Sequence, residues 1–237
     1  MKALILAAGR GSRMKRMTDA RPKCLVEFRG RTLLEHQIEA LHAAGIYDIG
    51  IVTGYRSDML TGRVLTEFHN VRWADTNMVS SLACAHAWLS QEPCIVSYSD
   101  IFYEREAVSL LCASQADLAI TYDPNWQNIW ERRFQDPLSD AETFRLHENG
   151  TLAEIGNKPN AIEVIQGQYM GLLRLTPLGW SEIQSVRSKL AQVGRDQIHM
   201  TGILQSIIQA GKIPIEAIPY QGSWGEIDSE SDLLAYE

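Results

Sequence analysis

Residues 4–23 read Leu-Ile-Leu-Ala-Ala-Gly-Arg-Gly-Ser-Arg-Met-Lys-Arg-Met-Thr-Asp-Ala-Arg-Pro-Lys, and the architecture follows from how this run is interpreted. It opens on an apolar stretch, Ala3 to Ala8, too short to be a helix. Such a run suits a buried parallel strand. Gly9 and Gly11 then end the strand, and six basic residues follow before position 24: Arg10, Arg13, Lys15, Arg16, Arg21 and Lys23. A glycine-rich turn leaving a buried strand lets backbone N–H groups approach a phosphate, and the basic side chains neutralise what binds.

Two familiar phosphate-binding patterns do not fit. A dinucleotide loop needs G-x-G-x-x-G, but Met14 stands at the third glycine position. No acidic residue closes the second strand, which ends Val52-Thr53-Gly54-Tyr55. The G-x-x-x-x-G-K-[ST] string is absent. A solvated basic loop after a first strand is the plain alternative. The run Leu-Ala-Ala-Gly-Arg-Gly-Ser-Arg-Met (6–14), followed by Thr18 and Pro22-Lys23, resembles the signature of nucleotidyltransferases that activate sugar 1-phosphates and related phosphate monoesters.

Composition is compatible with that resemblance. The 237 residues, 45% of them hydrophobic, suffice for one α/β domain with a sizeable core. The net charge of −7 argues against a nucleic-acid partner. Residues 10–31 carry a local charge of +6, leaving −13 elsewhere. A basic mouth on an acidic protein suits a small polyanion such as a nucleotide. Cys24, Cys84, Cys94 and Cys112 lack zinc spacing and read as packed free thiols, which points to the cytoplasm. The first apolar run is too short for a signal peptide, and no stretch approaches the ~18 apolar residues of a membrane span.

Along the chain, helices are expected over 33–42, 58–68, 80–89, 105–114 and 198–210, with another starting at Pro177 and a terminal one capped by Asp228-Ser229. Strands are expected at 48–53, 71–74, 94–99, 117–122, 142–147, 151–155, 167–175, 213–218 and 224–227. This alternation predicts an α/β fold with a doubly wound, mostly parallel sheet. Residues 1–122 form its nucleotide-binding part. Residues 123–237, beginning with an irregular polar segment, form a small acceptor-binding elaboration within one domain.

Asp100 ends a predicted parallel strand, where ligands of open α/β sheets bind. Mg²⁺ prefers one or two carboxylates with phosphate oxygens and water, which makes Asp100 a candidate ligand as well as a candidate turn residue. Proline at 22 aims Lys23 reproducibly, and the fork of Arg13 matches phosphate oxygens. The resemblance implies the rest. It assigns Lys23 and Arg13 as catalytic and Asp100 with Asp228 as metal ligands, although Asp228 also suits a helix cap. Leu6, Ala7, Ala8, Gly9, Gly11, Ser12, Gly54, Tyr55, Asn77, Ser81 and Ser99 would line the nucleotide. Beyond residue 123 the chain is similar to bacterial phosphocholine and aminoethylphosphonate-type cytidylyltransferases. That branch implies CTP and a small cationic phosphate or phosphonate as substrates. Trp126, Trp130, Tyr169 and Glu226 would cage the cation, and Lys158 would hold the acceptor phosphate. Sugar-1-phosphate nucleotidylyl transfer and a silent nucleotide-binding regulator are the competing functions.

Overall fold

The structure, a computed structural model, describes residues 1–62 and 65–236. Seven strands form the central sheet in the order Glu216–Pro219, Leu118–Asp123, Gln168–Leu175, Cys94–Tyr98, Lys2–Ala7, Ile49–Thr53, Thr66–His69. All neighbouring pairs are parallel except those made by Gln168–Leu175, which runs antiparallel to both its neighbours. The sheet is thus mixed but mostly parallel, with helices in the crossovers. Leu4 and Ile5 of the first strand are wholly buried. Side chains of this kind each contribute about 1.5–3 kcal/mol when removed from water.

Register fixes where function is placed. Leu6 lies between Val52 and Tyr98, so the carboxyl ends of three parallel strands come level. The helix Leu33–Ala43 is started by a capping box, with Thr32 and Glu35 satisfying each other's backbone amides. From its buried face Gln37 donates to the carbonyls of Tyr98 (2.8 Å) and Ile101 (2.6 Å). That clamp holds both ends of the turn carrying Ser99 and Asp100. Ile101–Tyr103 then pairs antiparallel with Trp224–Glu226, and Ile227 N–H donates to the Asp100 carbonyl at 2.9 Å.

Five expectations are corrected. In place of a helix over 58–68 there is a single 3-10 turn at Ser57–Met59 and then the edge strand Thr66–His69. Gly62, at φ +76°, stops any helix, and residues 63 and 64 of that span lie outside the described residues. No strand covers 71–74, because the Asn70 side chain accepts from Arg72 N–H and turns the chain. The helix expected from Ser80 or Ser81 starts at Met78, capped by Asn77, and is broken into Met78–Ala83 and His86–Leu89. The segment after 123 holds a helix, Trp126–Arg133. The terminal helix Glu230–Ala235 is capped by Ser229 alone, with Asp232 completing the box.

Candidate active site

Gly11 sits at φ +66°, a left-handed conformation that favours glycine, and opens the 3-10 turn Ser12–Thr18. A Cβ there would stand 2.9 Å from Cδ of Lys23, so the missing side chain is the groove in which the lysine stem lies. Thr18 closes the turn by donating to the Gly11 carbonyl at 3.0 Å. Extended Pro22 then presents Lys23 inward. A cavity of about 280 Å³ results, bounded by Leu6, Ala8, Gly9, Gly11, Ser12, Arg13 and Lys23 on one side. Trp73, Thr76, Asn77, Met78 and Ser81 form the facing wall, and Tyr98, Ser99, Asp100 and Asp228 the floor.

The pairing of Ile101–Tyr103 with Trp224–Glu226 brings together Asp100, Glu226 and Asp228, far apart in sequence. One carboxylate oxygen from each lies within 4.8 Å of the others. The Lys23 ammonium, with its side chain only 8% exposed, donates to Asp100 at 2.8 Å and to Asp228. Arg13 reaches the other Asp228 oxygen at 2.8 Å. Behind them the fully buried Arg133 pairs with Glu226 (3.1 Å) and Asp232 (3.0 Å). Asp232 in turn accepts from the backbone N–H groups of Asp228 (2.8 Å) and Ser229 (2.7 Å), which fixes the strand end.

This charge balance sets the protonation states. Burial opposes the Lys23 charge, but Asp100, Asp228 and Glu226 outweigh it and raise its pKa. Burial likewise opposes the Asp228 charge, yet Lys23, Arg13 and Arg133 hold that carboxyl below its ordinary range. Glu226 moves the other way, raised by burial and then by the nearby Asp228 and Asp100. Asp100 keeps one buried oxygen, Oδ1, with no hydrogen-bond partner among the described residues. An all-oxygen donor set with one free buried oxygen fits a hard divalent cation of the Mg²⁺ type.

A second cavity, of about 250 Å³, opens on the far side of this cluster. It shares Arg13, Met78, Tyr98 and Asp228 with the first. Its own walls include Trp130, Asp140, Glu142, Phe144, Gln168, Tyr169, His199, Thr201, Trp224 and Glu226. The Tyr98 and Tyr169 rings meet edge to face at 5.8 Å.

Comparison with known proteins decides the family. Residues 3–166 match the model of the MobA-like NTP transferase domain. The chain belongs to that family. It is 35% identical over 249 aligned residues, 98% of each chain, to the CTP:phosphoglutamine cytidylyltransferase of Campylobacter jejuni subsp. jejuni serotype O:2. It is 43% identical over 88 residues to the choline-phosphate cytidylyltransferase of Streptococcus pneumoniae, covering 35% of this chain and 38% of that protein. The fold matches the inositol-1-phosphate CTP transferase of T. maritima with a TM-score of 0.79 at 18% identity, covering 99% and 95% of the two chains.

Within this nucleotidyltransferase most of the anticipated residues converge, and several do not. Ala7 is buried in the sheet and does not line the nucleotide cavity. Gly54 and Tyr55 stand behind Trp73: a Cβ on Gly54 would come 2.5 Å from Cβ of Trp73, and Tyr55 N–H donates to the Ala8 carbonyl at 2.9 Å. They brace the wall, and Trp73 faces the cavity. Asn77 and Ser81 do line the cavity, but the Asn77 amide is also engaged by Met78 N–H and the Gln197 carbonyl. Ser81 accepts from Asn70 at 2.9 Å.

On the acceptor side Trp130, Tyr169 and Glu226 line the cavity, whereas Trp126 does not. Trp126 is 3% exposed and packs edge to face on Trp130 as core. Lys158 is also elsewhere, its ammonium held by the Leu138 and Ser139 carbonyls on an exposed turn. Trp73, Arg133 and Glu142 are site residues that motif and spacing did not reveal. Each takes its place through contacts made far away in sequence. Among the described residues no helix is long and apolar enough to cross a membrane.

Proposed function

We propose that the protein couples CMP from CTP to a small phosphate or phosphonate monoester and releases pyrophosphate. The observation that carries this reading is that two cavities meet at Arg13 and Asp228, beside Lys23 and three clustered carboxylates. Nucleotide and acceptor would then face each other across one charged seam.

The reaction needs no covalent enzyme intermediate. An acceptor phosphate oxygen attacks the α-phosphorus of CTP, a P–O bond forms, and the bond to the β-phosphate breaks as pyrophosphate departs. The loop amides from Gly9 to Arg13, at the end of the first strand, cradle the leaving phosphates. Arg13 turns its fork to them from Asp228. Lys23 moves from Asp100 and Asp228 to the α-phosphate and the incoming oxygen. Its contribution is position and charge, delivered from a buried stem. Asp100 and Asp228, with Glu226 beside them, would hold Mg²⁺, which offsets charge on the phosphate oxygens. Arg133 and Asp232 keep those carboxylates in place.

Cytidine as the base follows from the relatives whose names specify CTP. The acceptor is taken from the class those names span, phosphocholine and phosphoglutamine among them, with 2-aminoethylphosphonate as a further candidate suggested by the resemblance of the segment after residue 123. Residues 1–237 would act as one unit, since strands from both halves share the central sheet. Free thiols at all four cysteines fit a reducing cytoplasm.

The test is pyrophosphate release from each of the four nucleoside triphosphates, with Mg²⁺, across these acceptors and glucose 1-phosphate. Release with CTP and a nitrogen-bearing acceptor is expected. Activity confined to glucose 1-phosphate would move the assignment to sugar activation. No turnover with any pair would leave only a nucleotide-binding role.

A further inference from the structure

Four carboxylates border the acceptor cavity, and three are already paired. Asp228 is held by Lys23 and Arg13, Glu226 by Arg133, and Asp140 stands 4.0 Å from Arg13. Glu142 makes no ion pair among the described residues. Among the described residues its one side-chain hydrogen bond is accepted from the Thr201 hydroxyl at 3.4 Å. Yet it is not a loose surface acid. Gln168, itself buried, accepts from Glu142 N–H (3.1 Å) and donates to its carbonyl (2.6 Å), so the backbone is clamped on both sides. Burial, followed by repulsion from Asp140, raises the Glu142 carboxyl. Glu142 lines the same cavity as Tyr98 and Tyr169, whose phenols are raised first by burial, with the Glu142 charge adding to it.

Glu142 is half-buried, and a carboxylate partly withdrawn from water without a cation is destabilising unless a ligand supplies one. The surroundings define that cation. Glu142 and the nearby hydroxyls offer hydrogen-bond acceptors, and the tyrosine rings offer negative faces. A primary ammonium donates three N–H bonds and satisfies both features. A trimethylammonium has no N–H and satisfies only the rings.

We propose that Glu142 is the specificity-determining residue of the acceptor cavity, and that it selects a phosphate or phosphonate acceptor carrying a primary ammonium group. The inference rests on reading this cavity as the acceptor site. It replaces Glu226, whose charge Arg133 already meets, as the anionic reader of the substrate.

The test uses two matched sets that differ at nitrogen, phosphoethanolamine with phosphocholine and ethyl phosphate, and 2-aminoethylphosphonate with ethylphosphonate, together with phosphoglutamine as a further primary amine. Pyrophosphate release is measured for the wild type and Glu142→Gln. The wild type is expected to prefer the primary amines at least tenfold in kcat/KM over their methylated or amine-free counterparts. Glu142→Gln should raise KM for the amines about tenfold or more. Its kcat and its KM for CTP should stay within twofold, which also reports an intact fold. Its rate with ethyl phosphate should not change, so the preference collapses.

Retained preference in the variant, or wild-type use of phosphocholine equal to phosphoethanolamine, overturns the proposal. So does absence of turnover with every primary amine. In that last case CTP binding by calorimetry separates the two failures. If CTP binds, or sugar 1-phosphates react, the transferase reading survives and only the role of Glu142 is lost. If CTP does not bind, both fall.

Discussion

The nucleotide cavity and the acceptor cavity share four residues but are built by opposite means. The nucleotide side is largely a local construction, in which one strand, one glycine turn and the Pro22-Lys23 step supply a wall from residues 6–23. Its chemistry is backbone amides and a lysine stem lying where Gly11 has no side chain. The acceptor side is assembled from side chains on six or more separate segments between Tyr98 and Asp228, held by buried clamps such as Gln168 and Arg133. Triphosphates are alike, so fixed backbone can bind them. An acceptor's identity lies in its non-phosphate end, which only side chains can read.

The contrast can be broken from either side. Lys23→Ala strikes the seam and should lower kcat by roughly 10²–10³, in line with loss of a preorganised donor. The same variant frees Asp100 and Asp228 from their ammonium. Without nucleotide it should bind Mn²⁺ more tightly than the wild type, measured by electron paramagnetic resonance. Unchanged turnover would remove Lys23 from the chemistry.

Trp73→Ala tests the nucleotide wall alone. Stacking of a base on an aromatic ring is worth about 1–3 kcal/mol, so KM for CTP should rise about tenfold or more with acceptor KM unchanged. Equal weakening of both substrates would contradict the separation of the two cavities.

A smaller effect separates them by pH. The raised Glu142 carboxyl takes up its proton at a higher pH than an ordinary carboxylate. Protonation removes the charge that attracts the ammonium, so acceptor KM should climb as pH falls. In Glu142→Gln the amine acceptors should show the same pH profile as ethyl phosphate, set by the acceptor's own phosphate, which titrates near pH ~6.

Lys158→Ala should change least. The side chain is exposed and its ammonium is held by the Leu138 and Ser139 carbonyls outside the acceptor cavity, so acceptor KM should stay within about twofold, as for surface changes of ~0.5 kcal/mol.

The same contrast explains what the chain disclosed before folding was considered. Gly9, Gly11, Arg13 and Lys23 lie within fifteen residues, so their spacing carries their geometry. Asp100 is readable as a strand end. Asp228 needs the pairing of Ile101–Tyr103 with Trp224–Glu226, a contact across more than 120 residues that no local pattern encodes and that family likeness alone supplied. Trp126 and Trp130 are both aromatic and one helical turn apart, yet only Trp130 reaches the cavity, because which turn faces it depends on helix packing. Glu226 could be seen as an acid but not as one neutralised by Arg133. Glu142 only begins an expected strand and no local pattern marks it, since its lack of a cationic partner is a property of the folded cavity.

The most direct test of the shared seam is pyrophosphate release at saturating CTP and acceptor, titrated with Mg²⁺, for the wild type and Asp228→Asn. The wild type should be silent in EDTA and saturate with Mg²⁺, while the variant should remain about 10³-fold slower at every concentration. Wild-type turnover that persists in EDTA, or a variant that matches the wild type, would contradict the account.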